Sequence, residues 1–359
     1  MDTVLLTPGP VTVSRRVREA MLRDYGTWDS DYLDLTEGVR RMLLDIGGAA
    51  EGYAVVPLAG SGTTAVEAAV ASLLPADVEL AVLVNGAYGH RMLEVARRAG
   101  LATRELLLDE TEPVRSEHVM EMLAAHPGVG AVGVVHCETT SGLLNPLPEV
   151  VGAIKSAGKV AVVDAVSSFG GVPTDFAELG VDILAATANK CLQGVPGVSF
   201  VIARQRLLRA GRYGSAPLTL DVVDQWREME QSPGKWRFTS PTHAVVALHE
   251  ALCELAEEGG VAARANRYRK NSELLVEGMA AMGFRPFVSE EWRSDIVTSF
   301  LYPDPSFDFN AFYSGLKQSG YLIYPGKTTV IDTFRIGSIG AVDSEVVVGF
   351  LDAVAGLKW

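Results

Sequence analysis

Cysteine is scarce in this chain. Only Cys137, Cys191 and Cys253 occur, an odd number at wide spacing and without a CxxC pair. That excludes a disulfide framework and a cysteine-built zinc site, and it fits the reduced thiols of a cytoplasmic protein. Cations are also in short supply, 31 Lys+Arg against 44 Asp+Glu, a net charge of −13. The basic face that nucleic-acid binding demands is missing, so no nucleic-acid partner is expected. No apolar run reaches the roughly 18 residues of a membrane span, so no membrane partner is expected either. Met1 to Val11 lacks the basic region and apolar run of a secretory signal. Neither an internal repeat nor a low-complexity tract is present.

What is plentiful is apolar residue, 48% of 359 positions, enough for a large core in about two domains. Apolar runs bounded by turn residues recur at Tyr53–Leu58, Leu80–Val84, Gly130–Val135, Lys159–Val163, Asp182–Ala186 and Val198–Ala203. Most do not alternate and are rich in Val, Ile and Ala, as strands covered on both faces are. Helix-like segments at Thr63–Leu74, Gly89–Ala99 and Pro148–Ala157 separate several of them. Such alternation predicts an α/β domain with a mostly parallel sheet. The pattern shifts near Thr242. Two long helices follow, Ala244–Glu258 and Val261–Met282, then strands at Val297–Tyr302 and Phe334–Ile336 and helices at Phe309–Ser319 and Ser344–Leu357. A large domain of residues 1–242 and a small C-terminal domain of residues 243–359 are expected.

Three places could carry chemistry. Ala59-Gly-Ser-Gly-Thr-Thr64 follows a strand and opens a helix. Glycines admit a ligand close to the backbone, and the first-turn N–H groups bind an anion; an ordinary Ser N-cap reads the same way. Asp164 ends a buried strand at the sheet edge where α/β proteins hold ligands, and there it could pair with a protonated ring nitrogen or simply cap a turn. Lys190 ends another strand, ahead of the Gly/Pro-rich Gly194-Val-Pro-Gly197, and within eight positions the only acid is Asp182. A partly desolvated lysine is nucleophilic toward carbonyls and forms Schiff bases; a surface lysine is the plain alternative. Phosphate cradle, carboxylate and amine, in that order, are what pyridoxal 5'-phosphate requires.

These segments, with Leu6-Thr-Pro-Gly-Pro10, Thr27-Trp-Asp29, Val84-Asn-Gly-Ala-Tyr-Gly89, His136-Cys-Glu-Thr-Thr140, Arg237-Phe-Thr-Ser-Pro-Thr242, Tyr324-Pro-Gly-Lys327 and Phe334-Arg-Ile-Gly337, resemble the class V, fold-type I aminotransferases over nearly the whole chain. Within the class the resemblance is nearest to the subgroup that takes an aminophosphonate donor and pyruvate. It departs at Tyr25-Gly26, where that subgroup often has Ser-Cys, and at Ser338, where Asn is common.

The resemblance implies a seven-stranded sheet, a homodimer with shared active sites, and an N-terminal segment that contributes to the site. It implies that Lys190 carries the cofactor, Asp164 pairs with the pyridine nitrogen, and Ser61, Gly62 and Thr63 hold the phosphate beside Asn189. Tyr88 would stack on the ring and Thr139 would face its phenolic oxygen. Thr239 would reach the neighbouring subunit's cofactor phosphate. Arg335 would bind the substrate's acid group and Trp28 would line the entrance. The same residues leave other readings open: a desulfurase thiol at Cys191, metal ligation by His136 and Glu138, another donor–acceptor pair, a lyase, and a non-catalytic binder.

Overall fold

The computed structural model describes residues 3–48, 51–211, 216–328 and 331–357. Its centre is a seven-stranded sheet. The strands are β1 (Tyr53–Gly60), β2 (Glu79–Val84), β3 (Ala102–Leu107), β4 (Val129–Val135), β5 (Val160–Asp164), β6 (Ile183–Thr187) and β7 (Gly197–Arg204). Their spatial order is β1-β7-β6-β5-β4-β2-β3. Only β7 runs against its neighbours, pairing Gly197 with Gly60 and Ser199 with Thr187.

Both faces of the sheet are covered, which is why these strands read as unbroken apolar runs. Successive side chains point to opposite faces, and the two cores follow that alternation. Val55, Leu83, Val134 and Val163 join one core, together with Ala244, Leu248 and Leu252 of the helix Thr242–Glu258. Val56, Val82, Ala131 and Val162 join the other, under the helices α1 (Gly62–Leu73) and α2 (Ala87–Arg98).

A third core gathers Phe284, Phe300, Phe312, Phe334 and Phe350 around a three-stranded antiparallel sheet built from Val297–Leu301, Thr333–Gly337 and Tyr324–Pro325. Leu6 also belongs to it, because Val4–Leu5 pairs in parallel with Tyr321–Leu322. The N-terminal chain then runs from this core towards the large sheet. Contacts tie the two parts tightly: Ser299 Oγ donates to the carbonyl of Thr140 at 2.9 Å. A Cβ on Gly142, at φ +91°, would stand 2.6 Å from the carbonyl oxygen of Val297. The strand ends Gly60, Asp164 and Thr187 all lie on one edge of the large sheet, where ligands of α/β folds bind.

Candidate active site

A cavity of about 140 Å³ opens at that edge, and Ser61, Gly62, Thr63, Tyr88, Asp164, Asn189 and Lys190 all line it. A larger groove, about 510 Å³, lies elsewhere; its only ionisable lining groups are Asp45 and Asp175, so it offers neither an amine nor a cation. The smaller cavity brings an amine, a guanidinium and a carboxylate together.

Each wall has a local cause. Helix α1 starts at the rim directly after β1, and the N–H groups of a first turn have no acceptor within their own helix. The Ser61 N–H donates to Thr64 Oγ1 at 3.1 Å, which pins the turn. Gly62 is forced to be small: a Cβ there would stand 2.5 Å from Val166 Cγ1. Helix α2 presents Tyr88, Arg91 and Met92 to the cavity, positions one turn apart on one face. Its start is held by the buried Glu138 carboxylate, which accepts from the N–H of Gly89 at 2.8 Å and of Tyr88 at 3.2 Å.

Asp164 is buried at the end of β5, with Oδ1 accepting the Val166 N–H at 2.9 Å. Burial raises its carboxyl to about 6, against that hydrogen bond and the charges of Arg91 and Lys190. Lys190 follows β6, and burial, then the Arg335 charge, help lower its amine to about 8. Its Nζ donates to the Pro8 carbonyl at 2.5 Å. Gly9, at φ +115°, leaves room for it, since a Cβ there would come within 2.3 Å of Lys190 Cδ. Asn189 Oδ1 accepts from Thr187 Oγ1 at 2.9 Å.

Arg335 is 4% exposed on the small sheet and donates to the carbonyls of Pro325 and Thr139, both at 3.1 Å. Thr139 itself is buried, and its Oγ1 has no hydrogen-bond partner among the described residues. Trp28, Thr139, Thr239 and Arg335 are not among the residues that line this cavity. Trp28 is 80% exposed with Lys235 Nζ 4.7 Å from its ring centroid, and Thr239 is exposed.

Two other readings find no support in the geometry. Cys191 is fully buried, its Sγ 3.1 Å from the Ser167 carbonyl, and burial pushes its thiol up, whereas a persulfide cysteine must be accessible and readily ionised. Glu138 is committed to the first N–H groups of helix α2, and the His136 ring packs edge-on against Phe176, with ring centroids 6.0 Å apart. No group of three potential metal ligands occurs among the described residues.

The contacts of Pro8 and Gly9 with Lys190, the placement of Arg91 and the capping role of Glu138 were not evident from sequence. For Arg91 a signal existed, its three-residue offset from Tyr88. The arrangement offers an anion site at a helix start, a buried carboxylate without a cation in hydrogen-bond contact, an amine poised below its ordinary range, and an orphaned Thr139 hydroxyl. The groups lining the cavity fit pyridoxal phosphate: phosphate, pyridinium and aldehyde each have a counterpart there.

The family model for aminotransferase class-V matches residues 14–331, and the chain belongs to that pyridoxal-phosphate-dependent family. Over 353 residues, 98% of each chain, it is 48% identical to a 2-aminoethylphosphonate–pyruvate transaminase of Phocaeicola vulgatus. It is 47% identical over 354 residues to the transaminase of that name from Vibrio cholerae, covering 98% of this chain and 96% of that one. Among solved structures, alanine–glyoxylate aminotransferase from Nostoc sp. superposes with a TM-score of 0.91 at 26% identity, covering 99% of this chain and 94% of that one. Pyridoxamine–pyruvate aminotransferase from Mesorhizobium loti gives 0.91 at 26%, covering 99% and 92%.

Proposed function

We propose that this enzyme moves the amino group of 2-aminoethylphosphonate to pyruvate, giving phosphonoacetaldehyde and L-alanine. The observation that carries the reading is the near-full-length identity of 48% to a transaminase of that specificity, on a chain that keeps the amine and the carboxylate in one cavity and a buried guanidinium on the small sheet in contact with Tyr88 of that cavity.

Bound pyridoxal phosphate supplies an aldehyde to take up the amino group and a ring that draws electrons from the reacting carbon. The protein does the rest. Lys190 holds the cofactor, yields to the donor amine, and then moves a proton between the donor carbon and the cofactor's C4' atom. An amine at about 8 serves both duties near neutral pH, since it gives and takes protons readily. Asp164 keeps the ring nitrogen protonated, and Ser61, Gly62, Thr63 and Asn189 hold the phosphate. Tyr88 covers the ring and Thr139 takes the phenolic oxygen side. In the second half, pyruvate accepts the amino group through the same steps in reverse.

Arg335 is the anion clamp for both partners. Its two carbonyl contacts fix the guanidinium plane and leave further N–H donors for an oxyanion. A planar fork suits phosphonate and carboxylate alike, whereas lysine offers a point charge. Arg335→Lys is therefore expected to raise KM for donor and acceptor alike, each by roughly 10- to 150-fold, the range of one charge-assisted contact. Steady-state kinetics with each partner varied in turn checks this; unchanged KM values would move the clamp elsewhere, with Lys327 next.

The active unit is a homodimer, with Thr239 serving the partner's phosphate site and Trp28 the substrate entrance. The exposure of both residues in a single chain supports this. Sedimentation at assay concentration is expected to show a dimer; an active monomer would contradict it. A cytoplasmic location is proposed from the three unpaired thiols. A screen of amino donors against pyruvate, read by mass spectrometry, tests the substrate assignment. 2-Aminoethylphosphonate is expected to outpace every α-amino acid; a preference for alanine with glyoxylate would overturn it.

A further inference from the structure

Helix α2 carries three arginines with different fates. Arg97 pairs with Glu105 at 3.0 Å and Arg98 with Glu94 at 2.6 Å. Arg91, on the cavity side, makes no ion pair among the described residues. Its Nη1 donates to Thr63 Oγ1 at 3.0 Å, and its guanidinium carbon stands 4.8 Å from the centroid of the Tyr88 ring. Thr63 lies in the first turn of α1, whose N-terminus carries a partial positive charge. A full cation held against the positive end of a helix is unfavourable by itself. It becomes favourable when an anion sits between them. Asp164 lines the same cavity and feels the Arg91 charge, but it makes no ion pair with Arg91 among the described residues. In a chain with a surplus of 13 negative charges, an arginine left without a carboxylate in contact is reserved for a ligand.

We propose that Arg91 is a direct ligand of the cofactor's phosphate and supplies its principal charge compensation. A phosphate monoester carries about −1.5 to −2 charges at neutral pH. The helix terminus contributes roughly +0.5, and the hydroxyls of Ser61 and Thr63 contribute no net charge. Among the residues lining the cavity, Lys190 is the other cation, and it is assigned to the aldehyde. Arg91 therefore completes the phosphate site from the opposite helix. Its stacking on Tyr88 aligns the fork with Thr63. The inference rests on pyridoxal phosphate occupying this cavity.

Equilibrium binding to the cofactor-free protein separates the possibilities. Wild type, Arg91→Met and Arg91→Lys are titrated with pyridoxal phosphate and with pyridoxal, which lacks the phosphate, following intrinsic fluorescence. Arg91→Met is expected to raise Kd for pyridoxal phosphate by roughly 10- to 100-fold while leaving Kd for pyridoxal within about twofold. Arg91→Lys keeps the charge but not the fork, so its loss is expected to be smaller and confined to the phosphorylated ligand. That variant decides the matter if Arg91→Met does not fold. Equal losses for both ligands would mean that Arg91 only props Tyr88, and no loss for either would mean that it does neither; both overturn the proposal. If wild type failed to bind pyridoxal phosphate at all, the cavity assignment would fall first and take this inference with it.

Discussion

Lys190→Ala is expected to abolish transamination and covalent retention of the cofactor together. Loss of the proton-transfer group alone costs roughly 10²- to 10⁴-fold in rate, and loss of covalent capture adds to it. The fold is expected to survive, because among the described residues the Lys190 amine bonds only the Pro8 carbonyl. The wild-type lysine also has a telling pH dependence. The nucleophile is the neutral amine, and burial lowers its pKa from 10.5 to about 8. At pH 7 roughly a tenth of Lys190 is then neutral, about 300 times the fraction in an unperturbed lysine. Capture of pyridoxal phosphate by the cofactor-free protein should rise with pH and level off above about 8. Reduction of the loaded enzyme followed by peptide mapping reads the site; a labelled peptide carrying another lysine would sink the assignment.

Asp164→Asn is expected to lose most turnover while the cofactor-free protein holds or gains stability. The buried carboxylate has a raised pKa, about 6 against 3.8. A group whose folded pKa is raised favours the fold fully below its unfolded pKa, and that contribution is lost as pH rises through the folded value. Above about pH 6 the ionised Asp164 of the cofactor-free protein is thus a burden, on the order of 2–3 kcal/mol for a pKa moved from 3.8 to about 6. Asparagine does not titrate, and its oxygen can still accept the Val166 N–H. Thermal unfolding of cofactor-free protein at about pH 8 should favour the Asp164→Asn variant over wild type, and at about pH 4 it should not. Turnover should respond in the opposite sense, since the charge-assisted contact to a ring N–H is lost. Near wild-type turnover would mean that the nitrogen has another partner.

The sheet was legible where the strands are covered on both faces. The runs at Tyr53–Leu58, Gly130–Val135 and Val198–Ala203 fall inside observed strands because unbroken Val and Ala serve two cores at once. The edge strand Ala102–Leu107 escaped, since Thr103, Arg104 and Glu105 face water or half-exposed surroundings and break the apolar pattern. The helix Ser30–Ile46 escaped too, although Tyr32, Val39 and Leu43 keep its buried stripe. Asp164 and Lys190 could be read because a charged residue closing a buried strand is locally conspicuous. The demand for glycine at position 9 could not, because it comes from Lys190, far away in the chain. Glu138 invited a metal reading from its neighbour His136, yet its partners are the first N–H groups of helix α2, which only the fold brings to it.

The most direct measurement supplies purified enzyme with 15N-labelled 2-aminoethylphosphonate and unlabelled pyruvate, and follows the label and the aldehyde together. The predicted result is 15N-alanine formed in step with phosphonoacetaldehyde, with the aldehyde stopping at one equivalent per site when pyruvate is withheld. Aldehyde that accumulates without a keto acid, or label that never reaches alanine, would contradict it.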